Sequence, residues 1–183
     1  MSDATPALPH LSTEFFIWLW YASERDGGTM NLPENVGVVD VWVEERLAFR
    51  GLAEEKARAV VTGENTASSL EARAALATGK VVSQLQVHLR REEREYTATL
   101  KGVNLDLAGV KLPPHAGEGE DGLLYERMYL YEDLMFIIQG LYRQFSRERT
   151  HESWPQTLGS IREWVAGAPA DRIHAPAVGA HEE

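Results

Sequence analysis

Lys80–Lys101, KVVSQLQVHLRREEREYTATLK, is the stretch on which the fold turns. Val81, Leu85, Val87 and Leu89 fall on one face of an extended chain, and Gln84, Gln86, His88 and Arg90 on the other. After the polar run Arg90–Glu95, Tyr96, Ala98 and Leu100 repeat the apolar face, with Thr97, Thr99 and Lys101 opposite. Two such runs around a short polar turn predict a β-hairpin. One apolar face and one polar face further predict an antiparallel sheet covered on one side only. The rest of the chain therefore has to supply strands beside the hairpin and helices over it.

Upstream, Val39, Val41 and Val43 alternate with Val38, Asp40, Trp42 and Glu44, and the segments Arg46–Arg50 and Lys56–Thr62 continue as strand candidates. A short Ala-rich helix opens at Ser68 or Ser69 and closes at Gly79, the residue best suited to the left-handed turn after a helix. Downstream, Leu105–Leu112 reads as a last strand ended by Pro113 and Pro114, and the acidic, Gly-rich HAGEGEDG follows as a mobile loop.

Two segments qualify as the cover. The first begins at Ser12 or Thr13, runs through Phe15, Phe16, Ile17, Trp18, Leu19, Trp20 and Tyr21, and stops at Gly27 and Gly28. It is apolar on every side, which predicts a helix buried all round. The second is a long helix from Leu123 to Arg149. Along it Leu124, Met128, Tyr131, Met135, Ile138, Tyr142 and Phe145 form a heptad seam, and Leu123, Leu130, Leu134, Ile137 and Leu141 form another beside it. Two adjacent seams make a stripe too wide for one contact, so one is expected on the sheet and the other against a second helix, either the Phe15–Tyr21 helix or another chain. A short amphipathic helix after Trp154 and Pro155, with Leu158, Ile161, Trp164 and Val165, packs back on the domain.

The expected fold class is α+β: a mainly antiparallel sheet against a long C-terminal amphipathic helix and an aromatic-rich N-terminal helix. A single domain spans residues 12–166, between disordered tails at 1–11 and 167–183, the latter rich in Ala, Pro and Gly.

Composition narrows the chemistry. The 183 residues include no cysteine, which excludes disulfides, thiol nucleophiles and thiolate metal sites and fits a reducing, cytoplasmic setting. The N-terminus carries no secretory pattern, and the longest apolar run, Phe15–Ala22, falls far short of the roughly 20 residues of a membrane-spanning helix, so no membrane partner is expected. Of the histidines, only His88 and His151 adjoin firm elements, and neither has a second ligand at metal-binding spacing. No G-x-S-x-G elbow, phosphate loop or dinucleotide fingerprint occurs, and the adjacent carboxylates Glu44/Glu45, Glu54/Glu55, Glu92/Glu93 and Glu132/Asp133 do not make an acid–base pair. No enzymatic activity, cofactor or metal is expected.

Charge is uneven. The chain carries a net −10, yet Lys80–Lys111 holds six basic against four acidic side chains. Its hydrogen-bonding, partly cationic face is of the kind that follows a phosphate backbone without reading bases.

The order of elements, with TEFFIWLW near the start, the short helix leading into Leu76–Val82 (the pattern A-x-x-x-G-K-V-V), the hairpin and a leucine-rich strand ending in KLP, resembles the C-terminal half of the recombination-associated RdgC family over about Thr13–Arg149. That resemblance implies a non-enzymatic, self-associating duplex-DNA binder without sequence preference that restrains RecA-dependent recombination. The family's large N-terminal region has no counterpart here, and Thr62, Gly63 and Glu64 stand where a family member carries a lysine pair. Together, residues and resemblance nominate Lys80, Arg90, Arg91, Arg94 and Lys101 as the nucleic-acid surface. Met128, Tyr131, Met135, Ile138, Tyr142 and Phe145 are nominated as the interface of a homo-oligomer. The alternative is an acidic protein-binding or assembly module that keeps the fold without DNA.

Overall fold

The computed structural model describes residues 11–33, 35–51, 58–62, 76–102, 104–114 and 117–167. Helix α1 (Leu11–Glu24) leads through a tight turn at Arg25–Gly28 into β1 (Thr29–Leu32) and β2 (Gly37–Gly51). Then come β3 (Arg58–Thr62), β4 (Lys80–Arg91), β5 (Arg94–Lys101), β6 (Asp106–Lys111), α2 (Gly119–Thr150) and α3 (Trp154–Val165). The chain is α+β, as its alternation predicts. The sheet runs β1-β2-β4-β5-β6, with β3 also on β2, and every pairing is antiparallel.

The segments read as Val38–Glu44 and Arg46–Arg50 are one long strand. β1 lies along the first half of β2 and β3 along the second, while β4 pairs with both halves across register shifts at Val43/Leu47 and Ala48/Phe49. The second shift offsets the alternation of β4, so Val82 rather than Val81 joins the main core with Leu85, Val87 and Leu89. β1 itself, TMNL, has no alternation of its own and is made by pairing with Gly37–Asp40.

One face of the sheet is dry. Helix α1 lies against β2 and β4, with α2 and α3 also against it, and Phe15, Phe16, Trp18, Leu19, Trp20 and Tyr21 are all buried. Rings lock the layers together: Phe145 of α2 meets Phe15 at 5.5 Å, Trp18 at 5.6 Å and Trp154 at 5.9 Å, and Trp20 meets Trp164 edge-on at 4.8 Å. Polar ends are satisfied inside this packing. The Trp20 and Trp164 indoles both donate to the Glu24 carboxylate, at 3.1 and 2.7 Å, and the Trp18 indole donates to Glu148 at 2.8 Å. Arg149 closes the same end by pairing with Glu14.

Close approach dictates a glycine at Gly28, Gly117 and Gly140; a Cβ on the second would stand 2.6 Å from the Gly122 backbone. A Cβ on Gly28, at φ +80°, would strike the Val41 carbonyl oxygen. A Cβ on Gly140 would sit 2.9 Å from the Val36 side chain, so this glycine lets α2 close on the β1–β2 corner. Gly79, at φ +81°, closes the short helix as expected, its N–H donating to the Leu76 carbonyl at 3.0 Å. Most of that helix, and both proposed tails apart from Leu11 and Gly167, lie outside the described residues.

Helix α2 starts at Gly119, not Leu123: part of the stretch expected as a loop is its first turn. Glu120 and Asp121 suit the positive end of the helix dipole, and the Glu126 carboxylate accepts the Gly117 N–H at 2.7 Å. No described helix is long and apolar enough to cross a membrane.

Candidate interaction surfaces

The hairpin register places the nominated cations. Arg91 pairs with Arg94 across the Glu92–Glu93 turn, and Gln84 pairs with Lys101 at the far end. Neighbouring residues on a strand point to opposite faces. Leu85, Val87 and Leu89, then Tyr96, Ala98 and Leu100, are buried under the helices, so Arg91 and Arg94 lie on that side. Arg90 and Lys101 lie on the other. Lys80 stands at the start of β4, opposite Gly51 and roughly 37 Å of strand from the turn at about 3.4 Å per residue. These five residues therefore do not form one surface.

Nor are the arginines idle. Arg91 donates to Asp133 Oδ1 at 2.6 Å, and the buried Tyr96 hydroxyl donates to Oδ2, also at 2.6 Å. Arg94 stands 3.6 Å from the same carboxylate and donates to the Tyr129 hydroxyl at 3.2 Å, its guanidinium lying over that ring. Asp133 is buried on α2, so this cluster ties the helix to the tip of the hairpin. Burial, followed by the bond to the Asp133 carboxylate, pushes the Tyr96 phenol far above its ordinary value.

On the open face Arg90 donates twice to Asp40 Oδ2, at 3.0 and 2.7 Å, and lies over Trp42. The Thr29 hydroxyl, then Arg90, hold the Asp40 carboxyl below its ordinary range. His88 stands edge-on to Trp42 and 3.6 Å from Glu95. Arg90 and Asp40 thus neutralise each other across β2 and β4. No group of three metal-ligating side chains occurs among the described residues, and His151 caps the end of α2.

The helical seams divide differently from either simple expectation. Leu130, Leu134, Ile137 and Leu141 of the second seam are buried. In the first seam Ile138 and Phe145, both nominated for the interface, are buried too: Phe145 is core, packed on α1 and α3, and Ile138 reaches the surface only at the floor of a groove. Met135 and Tyr142 are half-buried and, with Leu105 and Leu107, line a groove of 260 Å³ between α2 and the start of β6. Met128 and Tyr131 are exposed. Beside them Leu124 and Leu112 line a second, 460 Å³ groove together with Arg127 and Glu132.

The exposed surface is larger than the seam. Leu123, Leu124, Tyr125, Met128, Tyr129 and Tyr131 all stand in solvent, and Tyr125 is 70% exposed. Leu123, Tyr125 and Tyr129 escaped the heptad reading of the interface because they lie around the helix rather than on the first seam. The clue was a density of seven apolar or aromatic residues over 123–131, broken only by Glu126 and Arg127. Asp133 escaped as well, although a carboxylate three residues after Leu130 and four before Ile137 sits on the buried stripe and must find partners there.

No family model, curated protein or solved structure matches this chain.

Proposed function

We propose that this chain is a non-enzymatic assembly module whose working surface is the N-terminal half of α2. The observation that carries this reading is the exposure of six large apolar or aromatic side chains, Leu123, Leu124, Tyr125, Met128, Tyr129 and Tyr131, within nine residues of α2. Exposed apolar patches beyond a few hundred Å² mark interaction sites. At about 150–250 Å² for a large side chain, those six present on the order of 600 Å² to solvent. The duplex-DNA function implied by the RdgC resemblance draws less support. Its arginines are divided between two faces and engaged by Asp40 and Asp133, in a chain of net charge −10.

The test is a photoreactive residue at Met128, or at the exposed Arg162 of α3 as control, in the whole chain inside the cells that make it. Cross-linked products from position 128 but not 162 are expected. Absence of any product at 128, or salt-sensitive duplex binding abolished by Arg90→Glu with Arg94→Glu, would overturn the reading in favour of a nucleic-acid function.

A further inference from the structure

Resting on that reading, we infer that the occupant of the α2 patch is a second copy of this chain, paired antiparallel about a two-fold axis between Met128 and Tyr131. Three features of the structure converge on this arrangement.

The first is what the neighbouring sheet edge forbids. A strand-donating partner would add to β6, the last strand of the sheet and the one beside both grooves. That edge is broken by a register shift opposite Thr97–Thr99, with Gly109 at φ +56°, and carries exposed charges at Asp106 and Lys111. Bulges and edge charges are devices that block strand addition. A helix is left as the shape that fits.

The second is register. The open part of the first seam, Leu124, Met128, Tyr131 and Met135, steps by four, three and four. In an antiparallel helix pair each a position lies opposite a d position. Met128 then meets the partner's Tyr131, and Leu124 meets the partner's Met135, so the four residues form a closed set of layers with their own copy. A two-fold interface requires this self-complementarity. Antiparallel pairing also sends the Glu120–Asp121 turn of one copy toward the Arg143 end of the other. Parallel pairing would stack the two acidic turns, with the helix dipoles aligned. It would also drive together the C-terminal halves of α2, which are already packed in their own cores.

The third is area. On the seam itself Leu124, Met128 and Tyr131 expose on the order of 300 Å² per copy, so their side chains give a two-fold pair about 600 Å², the size of a weak contact that forms only as the chain is concentrated.

Because the chain has no cysteine, single substitutions report the register directly. Purified Met128→Cys and Tyr131→Cys chains, both altered at exposed positions, are oxidised separately and as a mixture. Light scattering on the unaltered chain runs from about 1 to about 200 µM, a range that brackets a modest interface. The expected results are a mass that doubles with concentration and a mixed 128–131 disulfide at least tenfold above the 128–128 product. A dominant 128–128 product would mean parallel pairing and overturn the register. A monomer at every concentration would overturn the second copy. If position 128 still cross-links to another protein in cells, the assembly reading survives that loss; if it cross-links to nothing, both fall.

Discussion

The two halves of α2 share one heptad rhythm and have opposite fates. Over Leu134–Phe145 every apolar residue of the second seam, and Ile138 and Phe145 of the first, are closed in by α1, α3 and the sheet. Over Leu123–Tyr131 the same rhythm meets solvent, and only Leu130 is buried. Periodicity decides which side of a helix is apolar. What lies beside that side is decided by how far the neighbouring elements extend, and α1 and α3 flank only the second half. The first half is held by buried Leu130, by the Gly117–Glu126 bond and by the polar cluster at Asp133 and Tyr129. Burial and exposure are thus segregated along a single helix.

Substitutions separate the halves most sharply where packing is densest. Phe145→Ala removes a fully buried ring in contact with Phe15, Trp18 and Trp154, and is expected to cost about 3–5 kcal/mol in a denaturant titration. A loss under 1 kcal/mol would mean that the C-terminal half is not the anchor. At the junction, Asp133→Asn withdraws the carboxylate from Arg91 and Tyr96, for an expected loss of about 3 kcal/mol by the same measurement.

The same junction gives the stability an alkaline limb. Tyr96 is raised, chiefly by burial and then by Asp133, and Tyr21 is raised by burial. From about pH 10, the ordinary phenol value, the unfolded chain releases these protons while the folded chain retains them. Stability should therefore fall with rising pH, by about 1.4 kcal/mol per unit for each such group. Tyr96→Phe lowers stability at neutral pH but should flatten that slope; an unchanged slope between pH 10 and 12 would show that the phenol is not held neutral.

In the exposed half the expected effects on folding are small. Met128→Glu should change unfolding free energy by no more than about 0.5 kcal/mol, while shifting light scattering to the monomer mass. On the open sheet face, Arg90→Gln breaks a pair that is partly in water, so a loss of about 0.5 kcal/mol is expected in thermal melts.

Much of this division was legible in the residues. The hairpin followed from Leu85, Val87 and Leu89 against Tyr96, Ala98 and Leu100, and the burial of α1 from its apolar surround. The four residues of β1 were not legible, since their strand state is conferred by the Gly37–Asp40 partner. The place of Val82 depends on a register shift set by β2. Of the surface, the seam at Met128 and Tyr131 was visible, but the burial of Ile138 and Phe145 depends on where α1 and α3 dock, which periodicity does not encode. Grouping Arg90, Arg91 and Arg94 as one patch overlooked strand alternation. Adjacent residues in a strand face apart, and Asp133, thirty-nine positions beyond Arg94, draws two of these arginines to the helix side.

Backbone hydrogen exchange along α2 at low and high protein concentration tests the central division most directly. Amides of residues 134–145 should be strongly protected at both concentrations, and those of residues 123–131 should gain protection only as the chain is concentrated. Protection over 123–131 that is already complete in dilute monomer and unchanged on concentration would contradict the assignment of that half as the assembly surface.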